Sequence, residues 1–209
     1  MSGGICSFGR AASGLLTVME RFVFGIHRRG CRISFLFWAG VRCRSLNVGP
    51  GNRFHVPVRG ESSGSLQIGP GNSFGYRQAP RFGSGRILLQ GRLPDSEIEI
   101  GCRNSFSNNV SIIATRKITI GNDCLIGDQV LIVDSDFHAI DPVVRKQSTG
   151  PSESVQIGNN VWLGSRVMVL KGVTIGDNSI IGAMSLVKDS IPPNSIAAGN
   201  PARIIGPCG

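Results

Sequence analysis

From residue 157 onward, an aliphatic residue recurs at every sixth position. Six residues of α-helix turn through about 600°, so these side chains would spread over several sides of a helix. In extended chain, six is a multiple of two, and the same side chains share one face. One short strand and one turn per six residues, with three such units per coil, predict a parallel β-solenoid. The residues that keep this period are Ile157, Leu163, Val169, Ile175, Ile181 and Val187.

The period continues upstream in weaker runs. It is kept from Ile100 to Ile118, slips by two residues, and resumes from Ile120 to Ile132. Earlier stretches such as "VGPGNRF" and "IGPGNSFG" look like degenerate coils around residues 48–92. We therefore predict an all-β chain in which a solenoid over residues 46–205 follows an N-terminal arm (1–45) and precedes a short tail (206–209).

Residues 134–154 keep no period. A 21-residue excursion without a repeat of its own is long enough to suggest a functional loop. It opens with "DSDFHAID", which contains His138, one of only three histidines. A loop side chain held at one end by a rigid scaffold is a common way to build a site, so His138 is the leading candidate for chemistry.

The N-terminal arm is both apolar and basic. Residues 1–60 hold nine arginines and a single acid, Glu20, within a chain of net charge +9. Apolar residues between Leu15 and Val23 recur at spacings near three and four, which predicts an amphipathic helix. Its charge-free stretches are shorter than the roughly 20 residues that a membrane span needs. The helix either covers an open end of the solenoid or binds an anionic membrane surface.

Composition argues against a metal-cluster protein and against a nucleic-acid-binding protein. The six cysteines are scattered without a Cys-x-x-Cys pair, which favours free thiols in a reducing cytoplasm and no metal cluster. The basic arm comes without a helix-turn-helix, zinc-finger or RNA-binding signature, so we do not expect a nucleic-acid partner. We expect a cytoplasmic protein, or one that lies peripherally on the inner face of the plasma membrane.

The segment "IGNNVWLGSRVMVLKGVTIGDNSIIGAMSLVKDSIPPNSIAAGNPARII" resembles the C-terminal signature of hexapeptide-repeat acyltransferases. Within that family it is most similar to the maltose, galactoside and polysaccharide O-acetyltransferases. The resemblance is strong over residues 98–205, loose over 46–97 and absent over 1–45. It implies a left-handed parallel β-helix, a homotrimer with active sites between subunits, and acetyl-coenzyme A as acyl donor without a metal.

The resemblance also implies a catalytic histidine on the extruded loop, and this residue corresponds to His138. A neutral imidazole can take the proton of an attacking hydroxyl and return it to the departing thiolate. The second ring nitrogen then needs an acceptor that fixes the tautomer. Asp136 is the candidate we pair with His138, and Asp134 and Glu153 remain open alternatives.

Acceptor and coenzyme positions follow by the same resemblance. Trp162 resembles a tryptophan that borders the acceptor pocket, and Asn109 falls in a region that supplies a pocket asparagine. Two departures from the family pattern, "VKDSIPP" and Gly206 after the "PAR" arginine, indicate a differently assembled phosphate clamp. The candidate coenzyme-binding residues, which comprise pantetheine-lining positions and phosphate-binding cations, are Ser165, Arg166, Lys171, Ala183, Lys188 and Arg203.

The resulting hypothesis is an O-acetyltransferase that transfers acetyl directly to a sugar hydroxyl with a histidine base. The acceptor we favour is a bacterial surface polysaccharide or its lipid-linked precursor. Rival acceptors are a free sugar, an amino sugar, serine or an antibiotic. A β-solenoid binding protein without enzymatic activity is the remaining alternative.

Overall fold

The computed structural model describes residues 8–76, 78–79 and 85–208, with side chains from residue 25 onward. Helix α1 (Phe8–Arg42) comes first, and short strands follow on three faces of a solenoid. Face A comprises β1 (Cys43–Val48), the second half of β3 (Val58–Ile68), β6 (Glu97–Ile100), β9 (Lys117–Ile120), β12 (Val155–Ile157) and β15 (Thr174–Ile175).

The other two faces complete each coil. Face B comprises the first half of β3, β5 (Ile87–Gly91), β8 (Ser111–Ala114), β11 (Leu131–Val133), β14 (Met168–Val169) and β17 (Leu186–Val187). Face C comprises β2 (Arg53–Phe54), β4 (Ser73–Phe74), β7 (Ser105–Phe106), β10 (Leu125–Ile126), β13 (Trp162–Leu163), β16 (Ile180–Ile181), β18 (Ser195–Gly199) and β19 (Ala202–Pro207).

The chain visits face A, then C, then B, and each strand pairs in parallel with its equivalent in the next coil. Thr174 lies beside Gln156, for example, one 18-residue coil later. The predicted left-handed parallel β-helix is therefore confirmed. The parallel order ends at β19, which returns antiparallel to β18.

The interior is a set of columns, because the same position of successive coils points inward. All six residues that set the sequence period from Ile157 to Val187 are buried, as their shared face predicts. At the N-terminal end of face C the column is aromatic: Phe54, Phe74 and Phe106 stack with ring centroids about 5 Å apart. Such stacked columns remove apolar area from water at about 25 cal/mol per Å², which is the main stabilising term of this fold.

The corners of the coils are built from tight turns. Buried Asn52, Asn72 and Asn104 form a ladder inside the A–C corner, where each side-chain oxygen accepts the backbone N–H of the next rung. The ladder ends at Cys124, whose burial raises the pKa of its thiol to about 11. Among the described cysteines, those free of disulfides are Cys31, Cys43, Cys102, Cys124 and Cys208, whereas Cys6 lies outside the described residues.

Helix α1 covers the first coil. Cys31, Phe35 and Ala39 are buried at spacings of four, and the Phe35 ring stacks on Phe54 at 4.8 Å. Gly60 makes this approach possible, because a Cβ there would lie 2.8 Å from the Phe35 ring. The helix thus caps the open end of the solenoid, one of the two roles expected for the arm.

The helix of the arm ends earlier than the predicted boundary at residue 45, because β1 begins at Cys43. The side chains of the predicted amphipathic stretch from Leu15 to Val23 lie outside the described part of the chain. Within the described residues, no helix has the length and apolar character that a bilayer crossing requires.

Candidate functional site

The histidine loop, residues 134–154, leaves the solenoid at the corner between faces B and A. Strand β11 ends at Val133 and β12 begins at Val155. The two ends of the loop are joined at a narrow neck, where Ser135 forms an antiparallel bridge with Ser152 and the Glu153 N–H donates to the Asp134 carbonyl at 2.9 Å. The loop therefore projects from one fixed point, and the coils before and after it remain in register.

Asp134 fixes this point from inside the corner. It is fully buried, and its carboxylate accepts the backbone N–H groups of Thr115 and Arg116, each at 2.7 Å, and the Thr115 hydroxyl at 3.0 Å. Thr115 and Arg116 are the two extra residues between β8 and β9 that cause the slip in the sequence period. Both oxygens of Asp134 are therefore engaged by the preceding coil, away from the histidine ring.

His138 is exposed on the loop, and its Nδ1 lies 3.1 Å from the backbone carbonyl of Arg145. A carbonyl oxygen can only accept a hydrogen bond, so the neutral ring carries its proton on Nδ1. Nε2 is then left with a lone pair, which is the state that a general base requires. The loop itself thus sets the tautomer of the ring.

The carboxylates expected to orient the ring have other partners. Asp136 accepts a hydrogen bond from the Lys171 ammonium at 2.9 Å, and Glu153 lies against Gly172 of the next coil. Within the described part of the chain, the ring partner of His138 is thus a main-chain carbonyl in place of Asp136, Asp134 or Glu153. The physical reason is the compact loop, which folds its own backbone around the imidazole.

Arg145 closes the loop around the histidine. While its carbonyl accepts from the ring, its guanidinium donates to the carbonyls of Ala139 and Ile140 at 3.3 and 2.8 Å. Gly150 packs against the backbone of His138 so closely that a Cβ would lie 2.2 Å from the His138 carbonyl oxygen, and its φ of +70° also favours glycine. Sequence reasoning missed both residues, because neither belongs to a chemical motif.

Phe137 holds the other side of His138. Its φ is +61°, a left-handed conformation that is unusual for a bulky residue. Its N–H donates to the Ser135 hydroxyl at 3.0 Å, and the Arg92 guanidinium lies over its ring at 4.2 Å. Arg92 follows β5 at the same corner of the solenoid, two coils earlier. A cation from the scaffold thus fixes the residue next to the imidazole.

The three predicted phosphate cations are all paired with carboxylates. Lys171 binds Asp136, as described above, and Lys188 and Arg203 both bind Asp189, at 3.2 and 3.0 Å. The Lys188 and Arg203 charges hold the pKa of Asp189 below its ordinary value. Lys171 and Lys188 follow β14 and β17, so they occupy the same B–A corner as the loop in the next two coils.

The remaining candidates lie on the C–B corner. Ser165 and Arg166 separate β13 from β14, Ala183 separates β16 from β17, and all three are exposed. Asn109 occupies the same corner further down, where its side chain donates to Asp128 at 2.9 Å. The structure therefore divides the predicted site between two corners, with face B between them.

Trp162 lies on a third surface. It is half exposed on face C, where it borders a cavity of about 420 Å³. Tyr76 and Leu125, also half exposed, line the same cavity together with the serines of β4 and β7. Sequence reasoning missed Tyr76 and Leu125; the register of Leu125 beside Trp162 could have indicated the latter. Face C is opposite the B–A corner in the triangular coil, so one chain does not bring Trp162 to His138.

The arrangement of possible metal ligands in the described part of the chain differs from that of a metal site. Over the described residues, no group of three or more His, Cys, Asp or Glu side chains is arranged to hold a metal ion. The arrangement that is present consists of an exposed imidazole with one free nitrogen, cations above it at the same corner, and an aromatic cavity on another face.

Comparison with known proteins gives a consistent result. Residues 154–189 match the family described as bacterial transferase hexapeptide (six repeats). The chain is 46% identical to galactoside O-acetyltransferase of Escherichia coli (strain K12) over 111 residues, which cover 53% of this chain and 54% of that protein. It is 40% identical over 114 residues to the candidate lipopolysaccharide biosynthesis O-acetyl transferase WbbJ of the same strain, with coverages of 48% and 58%.

A solved structure extends the likeness beyond the repeat. The hexapeptide-repeat-containing acetyltransferase of Vibrio cholerae O1 biovar eltor, complexed with acetyl-coenzyme A, shares the fold with a TM-score of 0.52 at 24% identity. The alignment covers 76% of this chain and 72% of that one. The chain spans about half the length of the curated relatives it matches. The repeat, the fold and these relatives together confirm the predicted resemblance to the hexapeptide-repeat acyltransferases.

Proposed function

We propose that the protein is an acetyl-coenzyme A-dependent O-acetyltransferase in which His138 is the general base. The observation that carries the proposal is the hydrogen bond from the His138 ring to the Arg145 carbonyl, which leaves Nε2 free on an exposed loop. The similarity to galactoside O-acetyltransferase supports the reaction type. An enzymatic role requires His138 on the loop, whereas a purely structural role would require only the solenoid.

The reaction follows from the state of the ring. Nε2 accepts the hydroxyl proton while the hydroxyl oxygen attacks the thioester carbonyl, so a C–O bond forms as the carbonyl becomes tetrahedral. Collapse of this intermediate breaks the C–S bond, and the imidazolium returns its proton to the departing thiolate. Arg145 stabilises the imidazolium throughout, because its carbonyl still accepts from Nδ1.

Acetyl-coenzyme A is the proposed donor, as in the complex of the Vibrio cholerae relative. Lys171, Lys188 and Arg203 would meet its phosphates after exchanging their present carboxylate partners. Ser165, Arg166 and Ala183 would line the pantetheine arm along the C–B corner. Because these two sets lie on different corners of one chain, we propose a homotrimer in which neighbouring subunits complete each site.

The proposed acceptor is a sugar hydroxyl, with a surface polysaccharide or its lipid-linked precursor as the favoured source. The similarity to WbbJ supports this choice. The cavity on face C also supports it, because the flat ring of Trp162 can pack on a sugar face, while Tyr76 and nearby serines offer hydroxyl groups. Asn109 remains a proposed acceptor contact at the adjacent corner.

The test is release of free coenzyme A thiol from acetyl-coenzyme A in the presence of galactosides and of oligosaccharides from surface glycans. We expect turnover with at least one sugar, and a decrease of roughly 10²- to 10⁴-fold for His138→Ala. The matched control is His27→Ala on helix α1, which should keep wild-type turnover. His138→Ala turnover above half the wild-type value, with chemistry rate-limiting, would contradict the assignment.

Coenzyme binding is tested separately by calorimetry without an acceptor. Lys188→Ala or Arg203→Ala should weaken acetyl-coenzyme A binding, since a lost phosphate contact costs on the order of 1–3 kcal/mol. His138→Ala should bind like the wild type. If both cation variants bind normally, the phosphates lie elsewhere. Light scattering should give the mass of a trimer at micromolar concentration, and a monomer would contradict the shared site.

A further inference from the structure

Helix α1 carries two apolar stripes, and the solenoid uses only one. The inner stripe is Cys31, Phe35 and Ala39, which packs on the first coil. A second set of apolar residues lies on the outward side of the helix, roughly 120° to 180° from Phe35 at 100° per residue. We call this set the outward stripe; its members, all more than half exposed, are Ile26, Ile33, Phe37 and Val41.

The outward stripe is unusual for a surface helix. Ile33 is 68% exposed and Phe37 is 61% exposed, although both belong to residue types that are normally buried. The members follow one another at spacings of seven, four and four residues, so they form a continuous band and not isolated contacts. A band of this kind marks an interaction surface.

Cations and an indole border the stripe. Arg29 and Arg32 are exposed along one side of it. On the other side, Trp38 is half exposed, packs edge-on against Phe37 at 5.2 Å and has the Arg42 guanidinium over its ring at 4.9 Å. An apolar band that contains Phe and Trp and is flanked by arginines is the composition of helices that lie in a membrane interface.

Either a second copy of helix α1 or a membrane surface could cover the outward stripe, and charge favours the membrane. A second copy of the helix would bring its own arginines against those of the first, and residues 1–60 supply only one acid against nine arginines. Like charges brought together in this way repel. An anionic bilayer instead supplies negative headgroups to the arginines and an apolar layer to the stripe.

We propose that the outward stripe of α1 docks the protein on the surface of an anionic lipid bilayer. The inner stripe holds the solenoid while the outer stripe enters the headgroup region, so the first coil faces the membrane. The proposal does not depend on acetyl transfer, because it rests only on the helix and its contacts.

The first experiment is co-sedimentation of the full chain with vesicles. We expect binding to phosphatidylcholine vesicles that contain phosphatidylglycerol, and at least tenfold weaker partitioning to phosphatidylcholine alone. Ile33→Ser with Phe37→Ser should lower partitioning to the anionic vesicles by at least tenfold. Arg29→Gln with Arg32→Gln should lower it by roughly tenfold and reduce its salt dependence.

The matched control uses a pair of equally exposed isoleucines at the opposite end of the solenoid. Ile204→Ser with Ile205→Ser removes similar apolar surface from β19 and should leave partitioning unchanged. Circular dichroism before the assay shows that each variant is folded. Equal losses in both pairs would overturn the assignment of the stripe, and so would wild-type protein that does not bind anionic vesicles.

A spectroscopic measurement avoids disruptive changes to the helix. The chain has two tryptophans, so Trp162→Phe leaves Trp38 as the single tryptophan. We expect its emission to shift to shorter wavelength when anionic vesicles are added, because the indole leaves water. Emission that does not shift would overturn the proposal. So would a stripe variant that changes the mass of the assembly in light scattering while it binds vesicles normally, because the stripe would then join copies of the chain.

Discussion

The coils and the histidine loop obtain their order in different ways. In the coils, apolar side chains stack inside the solenoid, and buried polar groups such as the asparagine ladder are satisfied by the next coil. In the loop, residues 140–149 are all exposed, and order comes from hydrogen bonds between side chains and backbone carbonyls within the loop. The proposed chemistry would therefore take place in a region on which the packing of the core does not depend.

The largest difference should appear when the same change is made in both regions. Ile112 is fully buried on β8, and Ile140 is exposed in the loop. We expect Ile112→Ala to lower the free energy of unfolding by about 2–5 kcal/mol, through lost burial and a residual cavity. Ile140→Ala should change it by less than about 0.5 kcal/mol. Denaturant titration measures both, and comparable losses would contradict the contrast between the two regions.

The neck of the loop is the place where the two regions meet. Asp134→Ala would leave three donors of the Thr115–Arg116 corner without their acceptor, two of them buried, so we expect a loss of about 2–3 kcal/mol in unfolding free energy. Asp134→Asn is the matched control, because it keeps one oxygen and should lose about half as much. If Asp134→Ala unfolds at the wild-type denaturant midpoint, this carboxylate does not support the corner.

The smallest effect concerns the contact from scaffold to loop. Arg92→Ala removes the cation over Phe137, and an exposed cation–π contact contributes about 0.5–1 kcal/mol. We expect kcat to fall about two- to fivefold with KM for acetyl-coenzyme A unchanged, since His138 is held less firmly. Arg92→Lys keeps a cation and should recover part of the loss. A rise in KM with constant kcat would instead assign Arg92 to coenzyme binding.

The sequence predicted the regular region well because its rule is simple. A period of six forces aliphatic residues onto one face of an extended chain, and the structure confirms their burial. The break in the period marked the loop that runs from the end of β11 to the start of β12, and His138 within it. The slip in the period was visible too, although the residue that caps its two extra residues, Asp134, lies in the next coil.

The supports of His138 could not be read from the sequence for a physical reason. The ring acceptor is a backbone carbonyl, which every residue possesses, so Arg145 has no distinguishing signature. Arg92 is remote in sequence and meets Phe137 only because the coils stack. The expectation of a carboxylate partner followed side-chain chemistry, whereas the loop used its main chain and left Asp136 to Lys171.

The central claim is that the Arg145 carbonyl keeps the proton of neutral His138 on Nδ1 and leaves Nε2 free to act as a base. Nitrogen NMR of protein labelled with ¹⁵N-histidine reports the protonated ring nitrogen directly, at a pH where imidazole is neutral. The chain has three histidines, and the His138→Ala variant identifies the signals that belong to His138. We predict a protonated Nδ1 and an unprotonated Nε2. A proton on Nε2 in the free protein would contradict the claim.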